Sequence, residues 1–415
     1  MHRNATNNQK VTSGKLNSRH SKSKQFMNKI SANTTNIEKP KGRGQGITGQ
    51  FRVLAFLKRN YIFISIILIF AVALLWSASR LYYGFFYSVL EDKVDNTNLG
   101  SDKDANWEAL SSRVAFAIKT GAEVIEERFP NPNNTWLQRA KNYLVVSDLA
   151  DSRYDAVGLK EMFESVGLSL ETFLENRQPL LLSSSSQKKT LEVTVDQTKT
   201  GWWQDREKNL PGFHMLWKKF PYMDWYIMCD DDTFFFLDGL AAILQHPIFQ
   251  QAMREEIPIY MGNQFNVALC EGYDPSGMTN GTLNPWFAHG GSGIIVNYWA
   301  LEALMDMIPW CMQRFQDCWA GDIKIGLCFQ ELGIQIVPMG THFIAVDPKS
   351  FFDTYYSQPP YKQSKSQDIV ASFHHCDDEE FAFLFSLQQQ IIGKNKQLVR
   401  FKDIADIVSP HFHFP

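Results

Sequence analysis

Three consecutive carboxylates, Asp230, Asp231 and Asp232, lie between the apolar runs Trp225-Tyr226-Ile227-Met228 and Phe234-Phe235-Phe236-Leu237. Apolar runs of strand length on both sides place the acids at the edge of a core rather than on a solvated face. Acids crowded against apolar walls raise one another's pKa, so they take up protons or a cation. If the backbone stays extended through the run, Asp230 and Asp232 point one way and Asp231 the other. Such a two-carboxylate claw suits a hard divalent ion, Mg²⁺ or Mn²⁺, which completes its shell with water and substrate phosphates. An acidic turn capping the next helix is the commoner use of Asp-Asp-Asp; the apolar flanks weigh against it.

Other chemistry-bearing residues are scattered. Asp322 precedes Ile-Lys-Ile-Gly at a helix start, where a lone Asp most often serves as an N-cap. His289-Gly290-Gly291-Ser292-Gly293 leads into the apolar run Ile294-Ile295-Val296; Gly290 and Gly291 let backbone approach a ligand with no Cβ in the way, or make a tight turn. The spacing is not that of a dinucleotide fingerprint. His342 and His374 each follow a short apolar run, and an imidazole is a better ligand for Mn²⁺ than for Mg²⁺. Lys208, close before the carboxylates, is a weaker candidate for phosphate contact.

The elements that must hold these residues read as α/β. Val114 to Thr120 is a buried strand, Ala122 to Arg128 with Thr135 to Ala140 a helical connection, and Tyr143 to Asp148 a second strand. That βαβ unit implies a parallel sheet with ligands at the strand C-termini, where Thr120 and Asp148 sit. Further on, Asp155 to Leu182 contains an amphipathic helix, Leu237 to Leu244 is helical, Ile259 to Asn263 is a strand, and Leu301 to Cys318 is a helix. Phe265 to Pro285 has little periodicity.

Charge divides the chain. Residues 1–60 hold 13 Lys and Arg against Glu38 alone, a net +12, while the whole chain of 415 residues is −3, leaving about −15 on the remainder. Tyr61 to Ser79 is a nearly uncharged apolar run long enough to span a bilayer. The cationic flank predicts a cytosolic N-terminus and a single-pass anchor, which explains the basic tail without nucleic acid. The six cysteines, Cys229, Cys270, Cys311, Cys318, Cys328 and Cys376, all follow the anchor, where an oxidising lumen permits disulfides. Sequons at Asn133 and Asn280 could then carry glycans.

Trp225 to Leu237 together with Phe287 to Gly293 resembles the Fringe and core 1 β1,3-galactosyltransferase family, glycosyltransferase family 31. The resemblance spans roughly residues 107–408. It implies the GT-A glycosyltransferase fold, a Rossmann-like nucleotide-binding half plus an acceptor half, behind a single N-terminal transmembrane helix. The implied order is a basic tail at 1–60, the anchor at 61–79, a stem at 80–106, the catalytic domain at 107–408 and a short tail at 409–415. By position, Lys119, Thr120, Trp136 and Asp148 match the uridine pocket, and Asp231 contacts ribose or sugar. Mn²⁺ would be held by Asp230, Asp232 and His374, since Ser372-Phe373-His374 resembles the ending of core 1 enzymes, with His342 as the Fringe-like fallback. Asp322 matches the second acid of an Asp-Asp or Glu-Asp pair, the catalytic base; Gly321 stands in place of the first. The flanking Cys318 and Cys328 suit a local disulfide, with Cys311 as the alternative partner.

The implied activity is transfer of galactose or N-acetylglucosamine from a UDP-sugar to a glycan or glycoprotein hydroxyl in the Golgi or ER, with self-association as a homodimer left open. Phe265 to Pro285 becomes an acceptor-facing segment. The rival readings on the same fold are an inactive membrane-anchored chaperone or lectin, for which Gly321 is the argument, and a nucleotide-sugar hydrolase.

Overall fold

A computed structural model describes residues 65–67, 69–71, 106–175, 201–266, 286–316, 318, 320–352, 368–393 and 398–408. The chain falls into two compact units, Met1–Leu74 and Leu75–Pro415. In the first, the described residues are helical. No helix among the described residues is long and apolar enough to cross a membrane; most of the predicted anchor at 61–79, the tail and nearly all of the stem lie outside them, as do 267–285.

The second unit is built on a seven-stranded sheet. Strand β1 (Val114–Lys119) is buried at every position, as a central parallel strand covered on both faces must be. It pairs in parallel with β2 (Asn142–Val146) on one side and β4 (Trp225–Asp230) on the other. β3 (Ala156–Val157) extends the sheet beyond β2. β6 (Tyr260–Gly262) and β9 (Ile294–Asn297) follow on the far side of β4, with β10 (Ile336–Pro338) at the edge. The order is β10-β6-β9-β4-β1-β2-β3, and β9 alone in this sheet runs antiparallel to its neighbours. From β1 the chain goes outward to β2 and β3, then crosses back to β4. The C-terminal ends of β1 and β4 therefore form a topological switch point, the place where an open α/β sheet leaves a crevice for ligand.

A second sheet is smaller and does more of the positioning. β5 (Phe234–Phe235) pairs antiparallel with β12 (Ser372–Phe373), and β12 pairs in parallel with β11 (Phe343–Ile344). A hairpin-like pair, β7 (Gln264–Asn266) with β8 (Trp286–Ala288), lies beside β10 and β6.

Helix α1 (Gly201–Lys219) returns the chain to β4 and packs Leu210, Phe213 and Leu216 into the core. Gly212 lets it lie close: a Cβ there would sit 3.0 Å from Met228. The predicted helix over Leu301 to Cys318 is instead two, α2 (Tyr298–Met305) and α3 (Ile308–Arg314). Pro309 accounts for the break, since proline fits a first turn but has no N–H for a helix interior. α4 (Gly321–Glu331) follows. Cys311 on α3 is bonded to Cys328 on α4, Cα to Cα 6.0 Å. The nearer pairing of Cys318 with Cys328 is thus not the one formed, because the facing helices bring Cys311 and Cys328 together.

Candidate active site

The register of the central sheet delivers the first two residues of the site. Lys119 ends β1 directly opposite Asp230, which ends β4. The Lys119 ammonium lies 2.8 Å from Asp230 Oδ1 and 2.9 Å from Asp205 Oδ2 on α1. Burial alone would lower the lysine's pKa, but the two carboxylates outweigh it and hold the ammonium charged far above its usual range.

The strand does not continue through the acids. It stops at Asp230, and Asp231 and Asp232 form a turn. The expected division of faces emerges all the same. Asp231 turns inward, 3% exposed, and accepts a 2.6 Å hydrogen bond from the Thr120 hydroxyl. Burial, followed by the neighbouring Asp232 and Asp230, pushes its carboxyl up to about 7 despite that bond. Asp230 and Asp232 turn toward one imidazole: His374 Nε2 lies 3.4 Å from Asp230 Oδ2 and 3.1 Å from Asp232 Oδ1.

These are ion-pair distances without hydrogen-bond angles. Neither nitrogen of His374 has a hydrogen-bond partner, nor does Asp232 Oδ1, although all are buried; Asp230 Oδ1 is ion-paired with Lys119, which leaves Oδ2 toward the ring. Burial would lower the His374 pKa, but the two carboxylates push it up to about 9, and both acids are held well below the usual carboxylate range. The cluster demands positive charge. A proton on His374 meets that demand here, and a divalent ion would meet it better, since ligand atoms of Asp232, His374 and the adjacent His375 lie within 4.8 Å of one another. Buried, convergent and unbonded donor atoms of this kind fit a metal ion.

Backbone bonds fix that convergence. β12 runs beside β5, so Phe373 pairs with Phe234, and the Cys376 N–H donates to the Asp232 carbonyl at 2.9 Å. The glycine segment passes between. Thr233 and Ser372 donate through their hydroxyls to the carbonyls of Gly291 and Ser292, each at 2.7 Å. A Cβ on Gly291 would run into the His374 ring.

The preceding residue faces the other acid. Gly290 N–H donates to Asp322 Oδ2 at 3.1 Å, and a Cβ there would meet the Asp322 side chain at 3.3 Å. Consecutive Cα atoms are about 3.8 Å apart, so Asp322 and the His374 cluster flank a single peptide unit. Asp322 keeps part of its surface open, yet burial raises its pKa, only partly offset by the Gly290 N–H.

A comparison with known families gives a match described as Fringe-like over residues 110–343. The chain belongs to the Fringe-like family. That family is one of glycosyltransferases, and the matched residues take in the carboxylate run, the glycine segment and Asp322, while His374 lies beyond them.

Gly321, where the family's first acid is expected, has a packing explanation. A Cβ at 321 would come within 2.7 Å of the Arg206 carbonyl oxygen and 2.8 Å of the Asn209 carboxamide. Around it α4 is held tightly: buried Lys324 donates to Glu207 Oε2 at 2.7 Å, tying α4 to α1, and the disulfide ties it to α3.

The remaining expected residues distribute unevenly. Thr120 and Asp148 gather at the ends of β1 and β2, and Asp148 Oδ1 accepts the Ala122 N–H at 2.7 Å. Lys208 is 2% exposed and donates to the Thr120 carbonyl, so it braces the strand end rather than reaching for phosphate. Trp136, expected in a uridine pocket, is core: 1% exposed, packed on Phe116 and Phe235, its indole N–H bonded to the Thr233 carbonyl at 2.9 Å. His342 is buried with Nδ1 2.7 Å from the Ile369 carbonyl; His374 is the ring between the acids. Sequence reasoning missed Asp205 and the half-exposed Arg128, whose guanidinium lies 3.6 Å from Asp232 and 3.9 Å from Asp231. Neither carries a local signal. It also missed His375, which the His-His pair could have flagged.

Proposed function

We propose that this chain is an inverting, Mn²⁺-dependent glycosyltransferase that moves galactose or N-acetylglucosamine from a UDP-sugar to a hydroxyl of a glycan or glycoprotein, forming a β1,3 linkage. The observation that carries the reading is the single peptide unit, Gly290 to Gly291, with a carboxylate on one side and the Asp230, Asp232 and His374 cluster on the other. Asp230, Asp232 and His374 would hold the ion, which when bound neutralises charge on a departing diphosphate.

The chain's own groups do the rest. Lys119, Thr120, Asp148 and Asp231 line the switch point where a nucleotide lies. Arg128 adds a half-exposed cation on the phosphate side. Asp322, with a raised pKa and an open face, takes the proton from the acceptor hydroxyl as the new bond forms. Exposed Trp286 and Phe265, the latter 5.1 Å from the His289 ring, offer flat apolar faces to an acceptor sugar. The apolar run at 61–79 anchors the protein in the Golgi or ER membrane with this body in the lumen, and the exposed sequon residue Asn133 suits that side.

The test is turnover of a UDP-sugar panel by the full chain with Mn²⁺ and acceptor glycans, with Asp322→Asn alongside. Acceptor-dependent release of UDP, lost in Asp322→Asn while UDP and Mn²⁺ still bind, supports the reading. Loss of binding together with activity would reduce Asp322 to a structural brace of the glycine segment and the first turn of α4; the N-cap expected of it in the sequence is Ala320. Release without acceptor would make the protein a hydrolase, and none at all with any donor would favour the inactive alternative.

A further inference from the structure

The imidazole next to His374 is placed in an unusual way. His375 has φ +62°, the left-handed region that few side chains other than Asn, Asp and His enter. Its neighbours on both sides are pinned: His374 N–H donates to the Ile344 carbonyl at 3.0 Å and Cys376 N–H to the Asp232 carbonyl at 2.9 Å. His375 is therefore the tip of a tight turn. The two rings lie 3.7 Å apart, 31° from parallel, and they meet opposite oxygens of one carboxylate: His374 Nε2 is 3.1 Å from Asp232 Oδ1 and His375 Nδ1 is 3.5 Å from Oδ2. The Arg128 guanidinium also lies near Oδ2, at 3.6 Å. His374 is buried with both nitrogens lacking a hydrogen-bond partner, whereas His375 is 61% exposed. One imidazole backs the cluster and the other stands at its solvent side.

We propose that His375 is an additional ligand of the divalent ion held by Asp232 and His374, supplying a second imidazole at the solvent-facing side of the ion before nucleotide arrives. The assignment rests on the metal reading given above and extends it by one residue. Its consequence is selectivity. Mg²⁺ accepts imidazole poorly and prefers oxygen, whereas Mn²⁺ and later first-row ions take nitrogen readily. A second ring biases the site against the more abundant ion.

The test uses full-length protein in detergent without nucleotide, titrated with MnCl₂ and with MgCl₂. Free Mn²⁺ is read by electron paramagnetic resonance, and ¹⁴N couplings to bound Mn²⁺ by electron spin echo. His375→Asn is the variant of choice because Asn accepts the left-handed backbone, and near-ultraviolet circular dichroism confirms folding. His375→Asn is expected to weaken Mn²⁺ binding by roughly tenfold or more, leave Mg²⁺ nearly unchanged and remove one of two imidazole couplings. Unchanged Mn²⁺ affinity and unchanged couplings, with Mn²⁺ still lost in Asp232→Asn, would overturn the role of His375 alone. Mn²⁺ binding indifferent to Asp232→Asn as well would overturn the metal site itself.

Discussion

Restoring the missing acid at position 321 should harm the protein. A Cβ at 321 would lie 2.7 Å from the Arg206 carbonyl and 2.8 Å from Asn209. Asn209 is a side chain and can yield; the carbonyl belongs to the backbone of α1 and cannot yield without moving the helix. Overpacking of this kind costs about 1–3 kcal/mol. Against it stands the helix propensity gained on replacing glycine, at most about 1 kcal/mol and less at a first helical residue. The clash wins, so Gly321→Ala should be about 1–2 kcal/mol less stable, and Gly321→Asp worse. For a domain of this size each kcal/mol moves the melting temperature by about 2–4 °C. Thermal unfolding of the full chain followed by tryptophan fluorescence reads the shift, and UDP release reads turnover. Gly321→Ala as stable as the parent, or Gly321→Asp turning over faster, would show that space at 321 is not the reason for glycine and that a carboxylate there assists the reaction.

Other outcomes follow from the same geometry. With the Asp322 pKa raised by burial, kcat/KM should fall on acidification through a midpoint above the ordinary carboxylate range, because protonation removes the base; a limb at the range of a free aspartate would count against that role. Gly291→Ala should drive a Cβ into the buried His374 ring, cost about 1–3 kcal/mol of stability by overpacking, and weaken Mn²⁺ binding at least about tenfold in the protein that remains folded; intact binding would place the ion elsewhere. Replacing both Cys311 and Cys328 by Ser opens a loop closed at a sequence separation of 17 and should cost about 3 kcal/mol in denaturant unfolding; no loss would mean the facing helices suffice to hold α4.

Much of the arrangement was legible because it depends on local patterns. The run Val114 to Lys119 is apolar at nearly every position, so burial on both faces and a parallel sheet followed from it, and the apolar flanks of Asp230 to Asp232 placed those acids at a strand end. What strand periodicity could not reveal was the turn at Asp231, because the opposite orientations of Asp231 and its neighbours come from tertiary partners, Thr120 on one side and His374 on the other. Trp136 and Lys208 misled for a related reason. Their types suit ligand contact, but the strand ends they lie beside have carbonyls that need donors, and both side chains are spent there. Short strands such as Phe234–Phe235 and Phe343–Ile344 carry too few residues for any periodic signal. The antiparallel course of β9 and the Cys311 pairing are properties of how elements meet.

The pairing of Phe373 with Phe234 across 139 positions of chain has a bearing on biosynthesis. A nascent polypeptide that has emerged only as far as Phe343 already owns both acids and Asp322, yet lacks the ring that gathers the acids. On the metal reading proposed above, loading of a cation waits until about the last tenth of translation, and a chain ending between positions 343 and 374 would keep the strands of the seven-stranded sheet but lack β12 and the ring it carries to the carboxylates.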